Sequence, residues 1–190
     1  MEILYYLTAA SLLLFMVLAT YDGFYLHIWR YQLYAHPESR FEHKIHAIRA
    51  VLFPLIVWTL VLNTDSLPIF LIGLALVVAD TIVLAVDAYS EKESRVFMGG
   101  LPRWEYIIHL FSNAFHYATI FLILGIKLRI VGDNIMFNAH HPFSPGSEMM
   151  YWVGENAIPG AIVLAVLHLV TLHPGLRELW QGLRVKVKCC

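Results

Sequence analysis

The chain has 190 residues, 59% of them hydrophobic and 14% charged, with a mean hydropathy of +0.65. That composition excludes an ordinary soluble domain and points to a membrane protein. A net charge of −1 with no basic aromatic patch gives no sign of nucleic-acid binding, and the only cysteines, Cys189 and Cys190, form neither a disulfide framework nor a CxxC metal site.

Five apolar stretches follow in order: Ile3–Thr20, Ala50–Leu62, Leu67–Val86, Ile107–Ile126 and Ala157–Leu172. A helix needs about 20 residues to cross the hydrocarbon core. The second and fifth stretches reach that length only with flanking residues such as His46, Arg49 and His173 inside the helix. Met1–Thr20 lacks the basic start and cleavage site of a signal peptide, so it is read as a span. The expected fold is an all-α integral membrane protein: one transmembrane domain over residues 1–190, with five transmembrane helices and the fifth over about 157–173.

Lys and Arg set the expected orientation. Arg30, Arg40, Lys44 and Arg49 lie between spans one and two, Lys92, Arg95 and Arg103 between three and four, and Arg177, Arg184, Lys186 and Lys188 after span five. Only Lys127 and Arg129 fall on the other side, which puts the N-terminus outside and the C-terminus in the cytoplasm. The expected location is a bacterial inner membrane, or the endoplasmic reticulum in a eukaryotic host. The tail ending in Lys186-Val-Lys188-Cys-Cys reads as a basic anchor for the last helix, with a retrieval or lipidation signal as the eukaryotic alternative.

Between the spans, Tyr25–Tyr34 reads as a continuation of helix one or an interfacial helix. Gly99-Gly100-Leu101-Pro102 breaks the second cytoplasmic loop. Val131–Glu155, with its Asn, Pro and Gly and with His140-His141, reads as an irregular cap on the outer face.

A short pattern occurs twice. Asp22-Gly23-Phe24, then Phe41-Glu42, then His46 matches Asp87-Ala88-Tyr89, then Trp104-Glu105, then His109. Both loops also carry Glu-Ser-Arg, at 38–40 and 93–95. The first four helices therefore read as a parallel repeat with halves of about 1–63 and 67–130, and the fifth as an added packing helix.

Glu42 and His46 are four residues apart, as are Glu105 and His109, so each pair shares a helix face. Asp22 and Asp87 are expected to end the preceding helices at the same depth. Asp22, Glu42, His46, Asp87, Glu105 and His109 then supply two equivalent carboxylate–imidazole sets, the donors a two-metal site requires. This resembles the di-iron carboxylate bundles in logic, with a spacing one residue longer than their Glu-x-x-His. The bland alternative is a set of interfacial residues paired with Arg40, Arg95 or Arg103.

His27, His43, Asp80, Glu91, His116 and His168 are candidate additional ligands or supporting residues. Antiparallel helices bring Asp80 level with His116, as a hydrogen-bonded pair, an orienting shell or part of a proton path. His36 reads as solvated. Phe24, Tyr89 and Trp104 are candidate walls of a substrate slot, with interfacial anchoring as the alternative.

HExxH, GxSxG, GxGxxG and Walker motifs are absent. In layout the chain resembles the membrane di-iron desaturases and hydroxylases, but their histidine boxes are absent and it is not assigned to them. Mixed carboxylate and imidazole donors suit iron, manganese or zinc. The leading expectation is a membrane metalloenzyme with two transition-metal ions, iron first, oxidising a lipid or other apolar substrate with an electron donor. Zinc would imply a hydrolase. The same residues also allow a b-type haem electron carrier using His116 with His168 or His46 with His109, a metal or proton transporter, or an assembly partner without chemistry.

Overall fold

Helix α1 covers Glu2–Thr20 and continues unbroken as a π-helix over Tyr21–Arg30. Helix α2 covers Arg40–Ile56 and ends as a π-helix over Val57–Leu62. Helices α3 (Leu67–Ser94) and α4 (Arg103–Lys127) follow, then strands β1 (Leu128–Val131) and β2 (Asn134–Phe137), α5 (Pro145–Leu172) and α6 (Pro174–Lys188). The computed structural model describes residues 1–63, 65–139 and 143–188. His140, His141, Cys189 and Cys190 lie outside the described residues.

Five helices are long and apolar enough to cross a bilayer, the architecture of an all-α membrane protein. Three boundaries differ from the sequence reading. The second span reaches back to the start of α2, because Glu42, His43 and Ile45 find buried partners there. The fifth helix starts at Pro145, twelve residues before Ala157. Ser144 and Ser147 form a reciprocal capping box with Pro145 in the first turn, and that start is strong enough to carry the helix through Glu148 and Glu155. The expected irregular cap over Val131–Glu155 is in part a hairpin, since β2 pairs antiparallel with β1 across Gly132, whose φ of +61° suits glycine. After α5, the basic tail folds as the amphipathic helix α6.

Helix α1 packs on α4 and α5, while α2 packs on α3 and α5. The fifth helix is therefore wedged between α1 and α2. The apolar core, including Tyr5, Leu12, Leu60, Phe70, Ile123 and Met150, fills the half of the bundle nearest the hairpin. The other half, where the loops after α1 and α3 lie, buries its polar groups instead: Asp22, His27, Glu42, His43, Asp87, Arg95, Glu105 and His168.

One crossing depends on a glycine. A Cβ on Gly73 of α3 would meet Leu60 Cγ at 2.7 Å and Thr59 Oγ1 at 2.8 Å. Gly73→Ala is expected to force α3 away from the π-helical end of α2 at a cost of about 1–3 kcal/mol. A lowered thermal unfolding midpoint in detergent would register it, and an unchanged midpoint would contradict this crossing.

Candidate metal centre

The π-helical extension of α1 carries Asp22 and His27, α2 carries Glu42 and His46, α3 carries Asp87 and Glu91, and α4 carries Glu105 and His109. These side chains converge in two groups. Donor atoms of Asp22, His27, Glu105 and His109 lie within 4.8 Å of one another, and so do those of His27, Glu42 and His46. His27 belongs to both. The six residues of the repeated pattern all reach the cluster, with Asp87 Oδ2 at 3.3 Å from His46 Nε2.

The spacings suit an ion. Asp22 Oδ1 is 2.9 Å from His109 Nε2 and 3.3 Å from His27 Nε2, and Glu105 Oε1 is 3.6 Å from His27 Nε2. Glu42 Oε1 lies 3.5 Å from His46 Nε2. Donors about 2.1 Å from one metal stand roughly 3.0 Å apart in octahedral and 3.4 Å apart in tetrahedral geometry. Four atoms of the cluster are buried without a hydrogen bond of good geometry: Glu42 Oε1 and His46 Nε2, which face each other, with Asp87 Oδ1 and Glu105 Oε2. Buried polar atoms are normally satisfied, and each exception calls for a missing partner.

A surrounding shell orients the donors. Glu91 Oε1 meets Nδ1 of His109, which leaves Nε2 to face Asp22. A carboxylate behind an imidazole is the arrangement that fixes a metal-binding tautomer. Arg95, fully buried, bridges the two glutamates: Nη1 donates to Glu42 Oε2 at 2.6 Å and Nη2 to Glu105 Oε1 at 2.6 Å. Glu42 thus keeps Oε1, the oxygen near His46, off Arg95, whereas Glu105 gives Arg95 the same Oε1 that lies near His27 and keeps Oε2 free. Burial opposes the charge on Arg95, but Glu42 and Glu105 outweigh it and raise its pKa further. Arg95 Nη2 also lies 3.1 Å from His27 Nε2, so this contact and a metal on that nitrogen are alternatives.

The contacts are reciprocal between the two halves. Asp22 of the first pairs with His109 of the second, and Asp87 of the second with His46 of the first. The two Glu-Ser-Arg strings meet where Ser39 Oγ donates to the Ser94 carbonyl at 2.6 Å. His27 has no match in the sequence alignment, yet it lies about one turn past Asp22, as Glu91 lies about one turn past Asp87. Five residues past Asp22 in a π-helix cover about the same turn as four past Asp87 in an α-helix. Contrary to the expectation from sequence, Asp22 and Asp87 do not end their helices. Both helices run on, and their last turns carry His27 and Glu91 into the cluster.

Other expected residues lie around this centre. Asp80 Oδ2 is 3.2 Å from His116 Nε2, and Arg49 ties this deeper pair to the centre, with Nε at 3.2 Å from Asp80 and Nη1 at 3.6 Å from Asp87. His43 bonds Thr171 of α5 at 2.8 Å, and its ring lies 5.0 Å from that of His168. A Cβ on Gly23 would lie 3.4 Å from His168 Nε2, so the small residue after Asp22 lets α5 close in. His36 is half-buried and stacked on Phe97 rather than simply solvated.

Two cavities meet at Asp22, His46, Arg49 and Ser112. One, of about 80 Å³, runs into the bundle past Phe15, Phe53 and Leu164 to Asp80 and His116. At ~30 Å³ per water it holds two or three waters. The other, of about 180 Å³, lies between α3 and α4. His27, Glu42 and Glu105 line neither, so the cavities reach the cluster from the bundle interior and from between α3 and α4 rather than from the Arg95 side. Phe24, Tyr89 and Trp104 line neither cavity. Phe24 packs near Trp29 and Trp180, Tyr89 is 87% exposed, and Trp104 lies under Arg30.

Comparisons with protein-family models, curated proteins and solved structures returned no match.

Proposed function

We propose that the chain is a membrane metalloenzyme whose centre holds two transition-metal ions, iron first, and oxidises a lipid or other apolar substrate. The observation that carries this reading is the set of buried carboxylate and imidazole donors at ligand-edge spacing, with four atoms of the cluster left without a hydrogen bond of good geometry. Charge supports it. Besides their histidine partners, Asp22, Glu42, Asp80, Asp87, Glu91 and Glu105 have Arg49 and Arg95 as the Lys or Arg partners among the described ion pairs, so if metal binding leaves the histidines neutral, four negative charges remain, the balance of two divalent cations. The cavity between α3 and α4 suits an apolar substrate. The reciprocal Asp–His pairs support reading the first four helices as a repeat, and the Lys and Arg bias supports a centre near the cytoplasmic face.

Bound iron would supply oxygen activation. Hydroxylating or desaturating an alkyl chain uses dioxygen as oxidant with two electrons and two protons, so an electron donor is part of the reading. In that reading the residues hold, orient and insulate: Glu91 fixes the His109 tautomer, Arg95 holds the two glutamates, and the apolar half of the bundle keeps water from the far side. The haem reading through His46 and His109 has less support, because the His27 ring stands 4.2 Å from His46 and 5.7 Å from His109 and would crowd a macrocycle held by those two.

Elemental analysis of purified protein tests the proposal. Wild type should carry about two transition-metal ions per chain, and His46→Ala and His109→Ala should each lose part of that content. Iron predicts dioxygen uptake with an added reductant, whereas zinc alone would turn the reading toward hydrolysis. Folded wild-type protein that stays metal-free after incubation with ferrous iron or zinc would overturn it.

A further inference from the structure

The cavity between α3 and α4 has its outer wall in the part of the bundle that lipid would surround. Leu84 and Ala88 of α3 face Tyr106 and Leu110 of α4 across it, and Ala88, Tyr106 and Leu110 are exposed on the outside of the bundle. Its inner end reaches Asp22, His46, Asp87 and His109, with Arg49 and Asn113 beside them. It is therefore a side entrance from the bilayer to the donors. Among the main helix contacts of the bundle, α3 packs on α2 and α4 on α1, and α3 with α4 is not one of them.

Its depth limits what can enter. The 28 residues of α3 rise about 42 Å at 1.5 Å per residue, against a hydrocarbon core of about 30 Å, so roughly 6 Å of helix projects at each end if it is centred. Ala88 and Leu84 lie six and ten residues before Ser94, about 9 and 15 Å from that end. The entrance thus opens roughly 3–9 Å below the hydrocarbon boundary. At that level a membrane amphiphile has its polar head just above and its first few methylenes alongside.

We infer that the α3–α4 cavity is the substrate entrance, and that the substrate is a single- or double-chain amphiphile presented to the centre near its polar end. This rests on the metal-centre reading and extends it from "apolar substrate" to a class and a position along the chain. A fully apolar hydrocarbon would gather at the bilayer centre, below this opening. The small Ala88 keeps the entrance clear, a role its sequence counterpart Gly23 does not share, since Gly23 faces His168 of α5.

Alkyl hydroxamates test both levels, because the head group chelates a metal and the chain reports the entrance. Ferric-loaded protein in one detergent is titrated with acetohydroxamate and with decanohydroxamate, reading the ligand-to-metal absorption band. In wild type both should bind. In Ala88→Trp the affinity ratio of decano- to acetohydroxamate should fall at least tenfold, and Leu110→Trp, on the facing wall, should repeat the effect. Val78→Trp, exposed on α3 but lining neither cavity, should leave the ratio as in wild type. A ratio unchanged in both wall variants would overturn the entrance while leaving the metal centre intact. Failure of acetohydroxamate to bind metal-loaded wild type would instead defeat the metal-centre reading.

Discussion

His27→Ala is expected to lose more metal than any other single change in the cluster. The two donor groups share this residue and no other. Its ring is fully buried and stands 4.2 Å from that of His46 and 5.7 Å from that of His109, between the halves. Removing an orienting partner outside the ligand set typically costs 10–100-fold in metal affinity. Glu91→Gln, which acts only through His109, should stay in that range and at one ion. His27→Ala should exceed about 100-fold and affect both ions, leaving well under one per chain after dialysis. Metal content by elemental analysis, with helicity by circular dichroism as the control for folding, gives the comparison. If His27→Ala keeps two ions, its role is only to accept from Arg95, and the centre would have to be rebuilt around His46 and His109 alone.

The sequence marks His27 as a candidate additional ligand but not as the residue shared by both donor groups, and the reason is local backbone geometry. Aligning the two halves at one residue per position pairs Leu26 with Glu91 and leaves His27 unmatched. The π-helix over Tyr21–Arg30 puts His27 about one turn past Asp22, a placement that counting residues at α-helical spacing does not give. The i,i+4 pairs Glu42–His46 and Glu105–His109 were legible because they lie on ordinary α-helix. Asp80 and His116 were legible for a similar reason, as antiparallel helices bring residues at matching depths level. The five spans were legible from hydropathy, but the starts of α2 and α5 were not. The start of α2 carries polar residues whose burial depends on partners from distant parts of the chain, and that of α5 is set by the Ser144–Ser147 capping box ahead of the exposed Glu148 and Glu155.

The two halves agree in what they hold and differ in what they expose. Each provides an Asp, a Glu and a His from the repeated pattern, crossed so that Asp22 pairs with His109 and Asp87 with His46. Helix α5 breaks the symmetry. It packs on α1 and α2, bringing His168 against Gly23 and Thr171 against His43, and so closes the first half. Among the described residues no sixth span closes the seam between α3 and α4, and the side entrance lies there. The difference between the two sides of the cluster thus comes from α5 and from His27 standing past Asp22 where Glu91 follows Asp87.

Arg95→Ala is expected to give the largest loss of stability in the molecule. Arginine in a loop of mixed charge ordinarily reads as solvated, and its counterpart in the repeated Glu-Ser-Arg, Arg40, is exposed. Arg95 is buried because the chain turns back directly after it: Met98 and Gly100 both donate to its carbonyl, with Gly99 and Gly100 at positive φ. That turn sends the guanidinium inward to Glu42 and Glu105. Deleting one partner of a buried ion pair costs about 3–5 kcal/mol, because it leaves the remaining charges uncompensated. Here two carboxylates would be stranded in a site that already holds an excess of negative charge. Thermal unfolding of metal-free protein in detergent should show the drop, and Arg95→Lys should recover only part, since an ammonium cannot bridge both glutamates with a fixed fork. The combination Arg95→Met with Glu42→Gln and Glu105→Gln separates stability from metal binding. Removing all three charges should restore much of the stability, while metal content stays low because two ligands are gone. A metal-free Arg95→Ala protein as stable as wild type would mean that these glutamates are not charged in the folded state.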